Sequence, residues 1–200
     1  EAGALLQPVI VQAQPKPDLP QPVAMKDPTV ADQAGDVYDE LAQAAASIFA
    51  AAESETAPEA PVVVAAVRNV LTCLEEGDQL LTENVRRRAE ADSWPRRGAN
   101  VAVMAMRLGR AIGFDERRNL ALGLCGLMHD IGMLCVPEQV LAADRLTPTQ
   151  LKQLRQHPVE SQRIVRTFGK AFEWIAKVVV QVHERHDGSG YPKGLAGEEI

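Results

Sequence analysis

From Pro61 to the end of the chain, apolar residues recur at steps of three and four, and no stretch alternates at steps of two. Val64, Val67, Val70, Leu71 and Leu74 make a first stripe, Gly77 interrupts it, and Leu80, Leu81 and Val85 carry it toward Ala91. Pro61 suits a first helical turn. The sequence Asp92-Ser93-Trp94-Pro95 closes this helix pair, because the proline ring disfavours helix at Trp94. A third helix is expected from Arg97 to Ile112, with Val101, Met104, Ala105, Leu108 and Ile112 as its core face and Gly113 as its stop. Asp115 then caps a helix that is apolar nearly all round through Leu120, Leu122, Leu124, Leu127 and Met128, which assigns it to the centre. Thr147-Pro148 opens a helix reaching Gln156 and His157-Pro158 opens another. Ala171 to Arg185 forms the last, which breaks into a glycine-rich loop at Gly188. Only 4% of residues are aromatic, so the core must be built from aliphatic side chains. The fold class read from this pattern is all-α.

The first 60 residues differ. They hold seven of the thirteen prolines and ten acidic residues against Lys16 and Lys26, a formal charge of -8 that leaves +2 for residues 61–200. Prolines 8, 15, 17, 20, 22 and 28 predict an extended, disordered Pro/Ala-rich linker over residues 1–35. Asp36 to Glu53 predicts a short helix with Leu41, Ala44, Ala45, Ile48 and Phe49 on one stripe, docking on the domain or on sequence outside this chain. The expected organisation is a linker over 1–60 and a helical domain over 61–200. The net charge of -6 argues against binding large nucleic acids, which need a basic surface. Three widely spaced cysteines, Cys73, Cys125 and Cys135, read as reduced, buried thiols of a cytoplasmic protein. No apolar run is long enough to span a membrane, and with Glu1 in first place the sequence is read as an excerpt of a longer chain.

Three of the four histidines fall in two short segments, His129-Asp130 and His183 to Pro192, each at the end of an apolar run. A histidine and an aspartate side by side supply a neutral nitrogen and a charged oxygen, a mixture that suits Fe, Mn, Co, Ni or Zn. His157 and His183 add donors from two further helices, as a metal centre inside a bundle requires.

The stretches Leu127-Met128-His129-Asp130-Ile131-Gly132, Val136-Pro137, Leu146-Thr147, His157-Pro158, His183-Glu184-Arg185 and Asp187-Gly188-Ser189-Gly190-Tyr191-Pro192-Lys193-Gly194-Leu195 occur in that order. Together they resemble the HD-GYP family, a branch of the HD superfamily of metal-dependent phosphohydrolases, over residues 62–200. The resemblance implies an all-α helical bundle hydrolysing the bacterial second messenger cyclic di-GMP, to pGpG or on to GMP, at a centre of two or three divalent ions such as Fe or Mn. It implies His129, Asp130, His157 and His183 as metal ligands, with Asp130 bridging and serving the catalytic centre. Gly190, Tyr191 and Pro192 match the loop associated with ligand contacts and with GGDEF-domain partners.

Four departures bear on that site. The family histidine that opens the third helix is Arg97 here, and a guanidinium has no lone pair to give. The first of the paired histidines before Glu184 is Val182, and the lysine after the HD motif is Met133. The sequence also stops at Ile200, before the helix bearing the family's last metal-binding aspartate, so the bundle is read as truncated at its C-terminus. The metal complement is therefore expected to be incomplete or absent. Two functions follow: a cyclic di-GMP phosphodiesterase with altered metal content, or a non-catalytic signalling module that binds cyclic di-GMP or a GGDEF-type partner. In the second, Arg97 holds phosphate where an ion would sit.

Overall fold

The computed structural model describes residues 28–87 and 93–200. Helix α1 (Pro28–Glu53) is followed by α2 (Ala60–Glu76), α3 (Gln79–Arg87), α4 (Trp94–Ala111) and α5 (Glu116–Met128). A short 3-10 segment (Ile131–Cys135) leads to α6 (Glu138–Leu141), α7 (Pro148–Leu154), α8 (His157–Thr167) and α9 (Glu173–Val179). Among the described residues there is no strand, only an isolated antiparallel bridge between Asp187 and Ala196. The all-α reading stands. None of the described helices is long and apolar enough to cross a membrane.

Local chemistry accounts for the ends of these helices. Asp115 caps α5 by accepting from the Arg118 N–H at 2.8 Å. Thr147 and Gln150 form a reciprocal capping box on α7, with Pro148 in the first turn where its missing N–H costs nothing. The same tolerance corrects the reading of residues 1–35 as extended from Pro28 onward, since Pro28 opens α1 eight residues before Asp36. Residues 1–27 of that reading lie outside the described residues. Of the two docking options for this helix, the structure takes the first. Tyr38, Leu41, Ala45 and Ile48 are fully buried in the core that also contains Val67, Val70, Leu127 and Ile175, and the Tyr38 hydroxyl donates to Asn100 Oδ1 at 2.7 Å.

Helix α4 turns a different face inward from the one expected. Val101, Met104, Leu108 and Ile112 are exposed, while Gly98, Ala99, Ala102, Val103 and Met106 are buried. Close packing decided this. A Cβ on Gly98 would lie 2.7 Å from the Leu127 carbonyl oxygen, and one on Gly126 would lie 2.7 Å from Ala102 Cα. Interiors pack densely, so the face that carries Gly98, Ala99 and Ala102 at the close contact, with Val103 and Met106 beside it, is the buried one. The contact ties α4 to the end of α5, where His129 and Asp130 follow.

The thiols also divide. Cys73 is buried and Cys125 half-buried, with burial pushing the Cys125 thiol up to about 12. The expectation of three buried cysteines is corrected at Cys135, which is exposed at the end of the 3-10 turn, 3.6 Å from Arg163.

Candidate metal centre

Helix α5 ends at Met128 and the chain turns sharply through His129 and Asp130 into Ile131–Cys135. This turn is locked from α8. The buried Ser161 hydroxyl donates to the His129 carbonyl at 3.0 Å and accepts from the Gly132 N–H at 2.8 Å. A Cβ at Gly132 would lie 2.0 Å from the His157 carbonyl oxygen, so glycine alone permits α8 to approach this closely. The approach brings His157, at the start of α8, over Asp130.

Four predicted residues meet there. Asp130 Oδ2 lies 3.0 Å from His129 Nε2, and Asp130 Oδ1 lies 3.3 Å from His157 Nε2 and 3.5 Å from His183 Nε2. The two latter nitrogens are 2.9 Å apart. Donor atoms of Asp130, His157 and His183 all fall within 4.8 Å of one another.

The second shell fixes the ring tautomers. His129 Nδ1 is 2.8 Å from the Gly126 carbonyl and His157 Nδ1 is 2.8 Å from the Leu154 carbonyl. A carbonyl only accepts, so both Nδ1 atoms carry protons and both Nε2 atoms, in the neutral rings, present lone pairs. Each bare nitrogen then faces a carboxylate oxygen, an arrangement that repels unless a cation sits between. Asp130 Oδ1 is also buried without a hydrogen-bond partner. This donor set fits a divalent metal ion, with backbone carbonyls orienting the histidines in the usual manner of such sites. Where a ring nitrogen carries a proton instead, its N–H takes the cation's place: burial opposes charge on Asp130, but such contacts with His129, His157 and His183 outweigh it and hold the carboxyl well below the usual carboxylate range. Burial likewise works against a charged His129, while Asp130 raises it above an ordinary histidine.

The loop after His183 folds back on the centre. Tyr191 stacks on His183, with ring centroids 4.9 Å apart and planes 9° from parallel. Its N–H donates to the His183 carbonyl at 3.1 Å. Burial and the nearby Asp130 charge push the Tyr191 phenol up. Gly190 passes so close to α9's outgoing turn that a Cβ would sit 2.4 Å from Arg185 N. Pro192 lines a neighbouring cavity of about 380 Å³. Glu184 has no role in the sequence pattern. Its two carboxylate oxygens accept from the Lys193 N–H at 2.7 Å and the Leu195 N–H at 2.9 Å, clamping the loop. A carboxylate directly after a predicted ligand was the available signal, but its partners nine and eleven residues away were not visible.

The departing residues have definite places. Arg97 is exposed on the first turn of α4, beside the Gly98 contact to α5, with its guanidinium 4.5 Å over the Trp94 ring. Val182 is partly exposed and lines a cavity of about 570 Å³ with His183 and Tyr191. Met133 is buried in a small apolar cluster with Val136 and Val140, so it stands away from solvent where a lysine would need water or an anion. His186 is exposed in the loop, outside the cluster.

A family profile described as HD domain matches residues 72–200. A cyclic di-GMP phosphodiesterase of Pseudomonas aeruginosa is 34% identical over 101 residues, half of this chain and 24% of that protein. A 3'3'-cGAMP-specific phosphodiesterase of Vibrio cholerae is 36% identical over 104 residues, half of this chain and 23% of that protein. The cyclic di-GMP phosphodiesterase response regulator RpfG of Xanthomonas campestris is 26% identical over 140 residues, covering 66% of this chain and 37% of the regulator. The chain thus spans a quarter to a little over a third of the length of these relatives.

Proposed function

Because this chain belongs to the HD domain family, in its HD-GYP branch, we propose that it is a metal-dependent phosphodiesterase domain acting on a cyclic dinucleotide, cyclic di-GMP in the first instance. The observation that carries this reading is the buried, unpartnered Asp130 Oδ1 facing His157 Nε2 and His183 Nε2.

In this reading His129, Asp130, His157 and His183 hold divalent ions such as Fe or Mn. Bound ions of this kind activate water near neutral pH and offset charge on phosphoryl oxygens. The protein's own part is preorganisation. Asp130 stays ionised and offers one oxygen to each side, while the Gly126 and Leu154 carbonyls keep two Nε2 lone pairs aimed inward. Tyr191 holds the plane of His183 and walls the cavity through which a phosphodiester reaches the cluster. Metal analysis of the full-length protein, with a hydrolysis assay in Mn or Fe, tests the proposal. It requires at least one ion per chain and pGpG as product, both lost in Asp130→Ala.

A second reading is favoured by Val182 and Arg97. A hydrocarbon lines the cavity where the family has a second ligand, and a permanent cation on Trp94 occupies the turn where it has another. A non-catalytic module binding cyclic di-GMP or a GGDEF-type partner would retain nucleotide affinity without metal or product. Val182→His is expected to raise metal retention, and an unchanged metal content would count against a missing ligand at that position.

A further inference from the structure

We propose that Arg155, to which the signature residues assign no role, is an anion-binding residue that takes the second, uncleaved phosphodiester of the cyclic dinucleotide. The inference rests on the function proposed above for its choice of nucleotide. It rests on the geometry for the anion site itself.

Arg155 terminates α7 two residues before His157, and its N–H donates to the Leu151 carbonyl at 3.0 Å. The adjacent Leu154 carbonyl orients the His157 ring. The backbone that carries Arg155 is therefore fixed to the metal-binding cluster. Its guanidinium lies 5.3 Å from the centroid of Tyr191, the ring that stacks on His183. Such a contact holds the cation in place without neutralising it.

Two cavities meet at this pair. Arg155 and Tyr191 line both the cavity of about 570 Å³ that contains His183 and the one of about 380 Å³ that contains Leu151, Lys152 and Pro192. These volumes suit a nucleotide rather than a bare ion. Charge supports the same ligand. Arg163, Arg166 and Arg185 each have a carboxylate within 4.0 Å, whereas Arg155 and Lys152 make no ion pair among the described residues. In a chain of net charge -6, two unpaired cations one helical turn apart sit beside the cluster that would hold a phosphodiester. A planar guanidinium binds phosphate oxygens in pairs. A cyclic dinucleotide carries two phosphodiesters, so one at the cluster leaves the other for Arg155.

The test is equilibrium binding of cyclic di-GMP to the full-length protein, in parallel with 3'3'-cGAMP. Arg155→Ala should weaken binding about ten- to a hundredfold, the range for a charge-assisted hydrogen bond. Arg155→Lys should recover part of it, and metal content and thermal midpoint should stay as in the parent. Parent-like affinity in Arg155→Ala overturns the assignment. If the parent protein binds neither nucleotide, the functional reading fails separately. The anion site is then decided by the Arg155 Nε–H resonance during titration with dimethyl phosphate: a shift upholds it and a stationary signal removes it.

Discussion

The HD turn and the glycine loop meet at His183 and Tyr191, and a close glycine contact anchors each of them, at Gly132 and at Gly190, yet the rest of each is held differently. The turn at His129–Gly132 is buried and knitted by close backbone approach, with Ser161 bonding both sides of it. The loop from Asp187 to Ala196 is about half exposed; Gly190 and Tyr191 are packed against its base, and the outer part is held by one carboxylate, Glu184. A metal centre needs donors fixed to within fractions of an ångström, which a packed core supplies. The outer part of a surface loop has no core to pack on, so hydrogen bonds such as those to Glu184 must hold it.

The difference can be broken most severely at Gly132. Gly132→Ala forces a methyl into the His157 carbonyl and Ser161 N, both backbone atoms, and should cost about 3 kcal/mol or more of stability in a urea titration. A near-normal midpoint would show that α8 can retreat from the turn. Ser161→Ala leaves the buried Gly132 N–H and the His129 carbonyl without their partner. The expected loss is about 2 kcal/mol, accompanied by weaker metal retention. On the loop side, Glu184→Gln replaces one acceptor with a donor that faces backbone N–H groups. It should lower global stability by only about 1 kcal/mol while clearly reducing cyclic di-GMP affinity. Equal effects on both quantities would mean that the loop belongs to the core after all.

The smallest expected effect lies outside both regions and serves as a control. Glu83, bonded to Arg86 and Arg87, has its carboxyl lowered to about 2, chiefly by the Arg86 hydrogen bond. A lowered folded value means stability that is present above the ordinary carboxylate range and is lost as pH falls from about 4.5 toward 2. Glu83→Gln should flatten that part of the pH–stability curve by about 1 kcal/mol, because Arg86 is exposed and solvent screens the pair. Metal content should not change.

Most helices were legible because three-and-four periodicity, Asp115, Thr147 and several prolines are local signals, readable without knowing what packs where, although the last, expected to reach Arg185, ends at Val179 and leaves His183 in a turn. That His129, Asp130, His157 and His183 come together was legible for a related reason: the short motifs that contain them are distinctive. The inward face of α4 was not, because hydrophobicity ranks Met104 and Leu108 above Gly98 and Ala102, whereas the distance between helices ranks them the other way. The start of α1 was not legible because a run of prolines reads as one linker, whereas Pro28, the last of them, stands in a helical first turn.

The sequence by itself determined the helical class and the family, and it singled out the side chains that gather at the cluster, since each depends on residue type and spacing along the chain. Only the tertiary structure decided that α1 belongs to the core, that Ser161 and Glu184 position the site, and that Arg155 stands unpaired beside it. Those relations join residues far apart in the chain, and they exist only after close packing has chosen which surfaces touch.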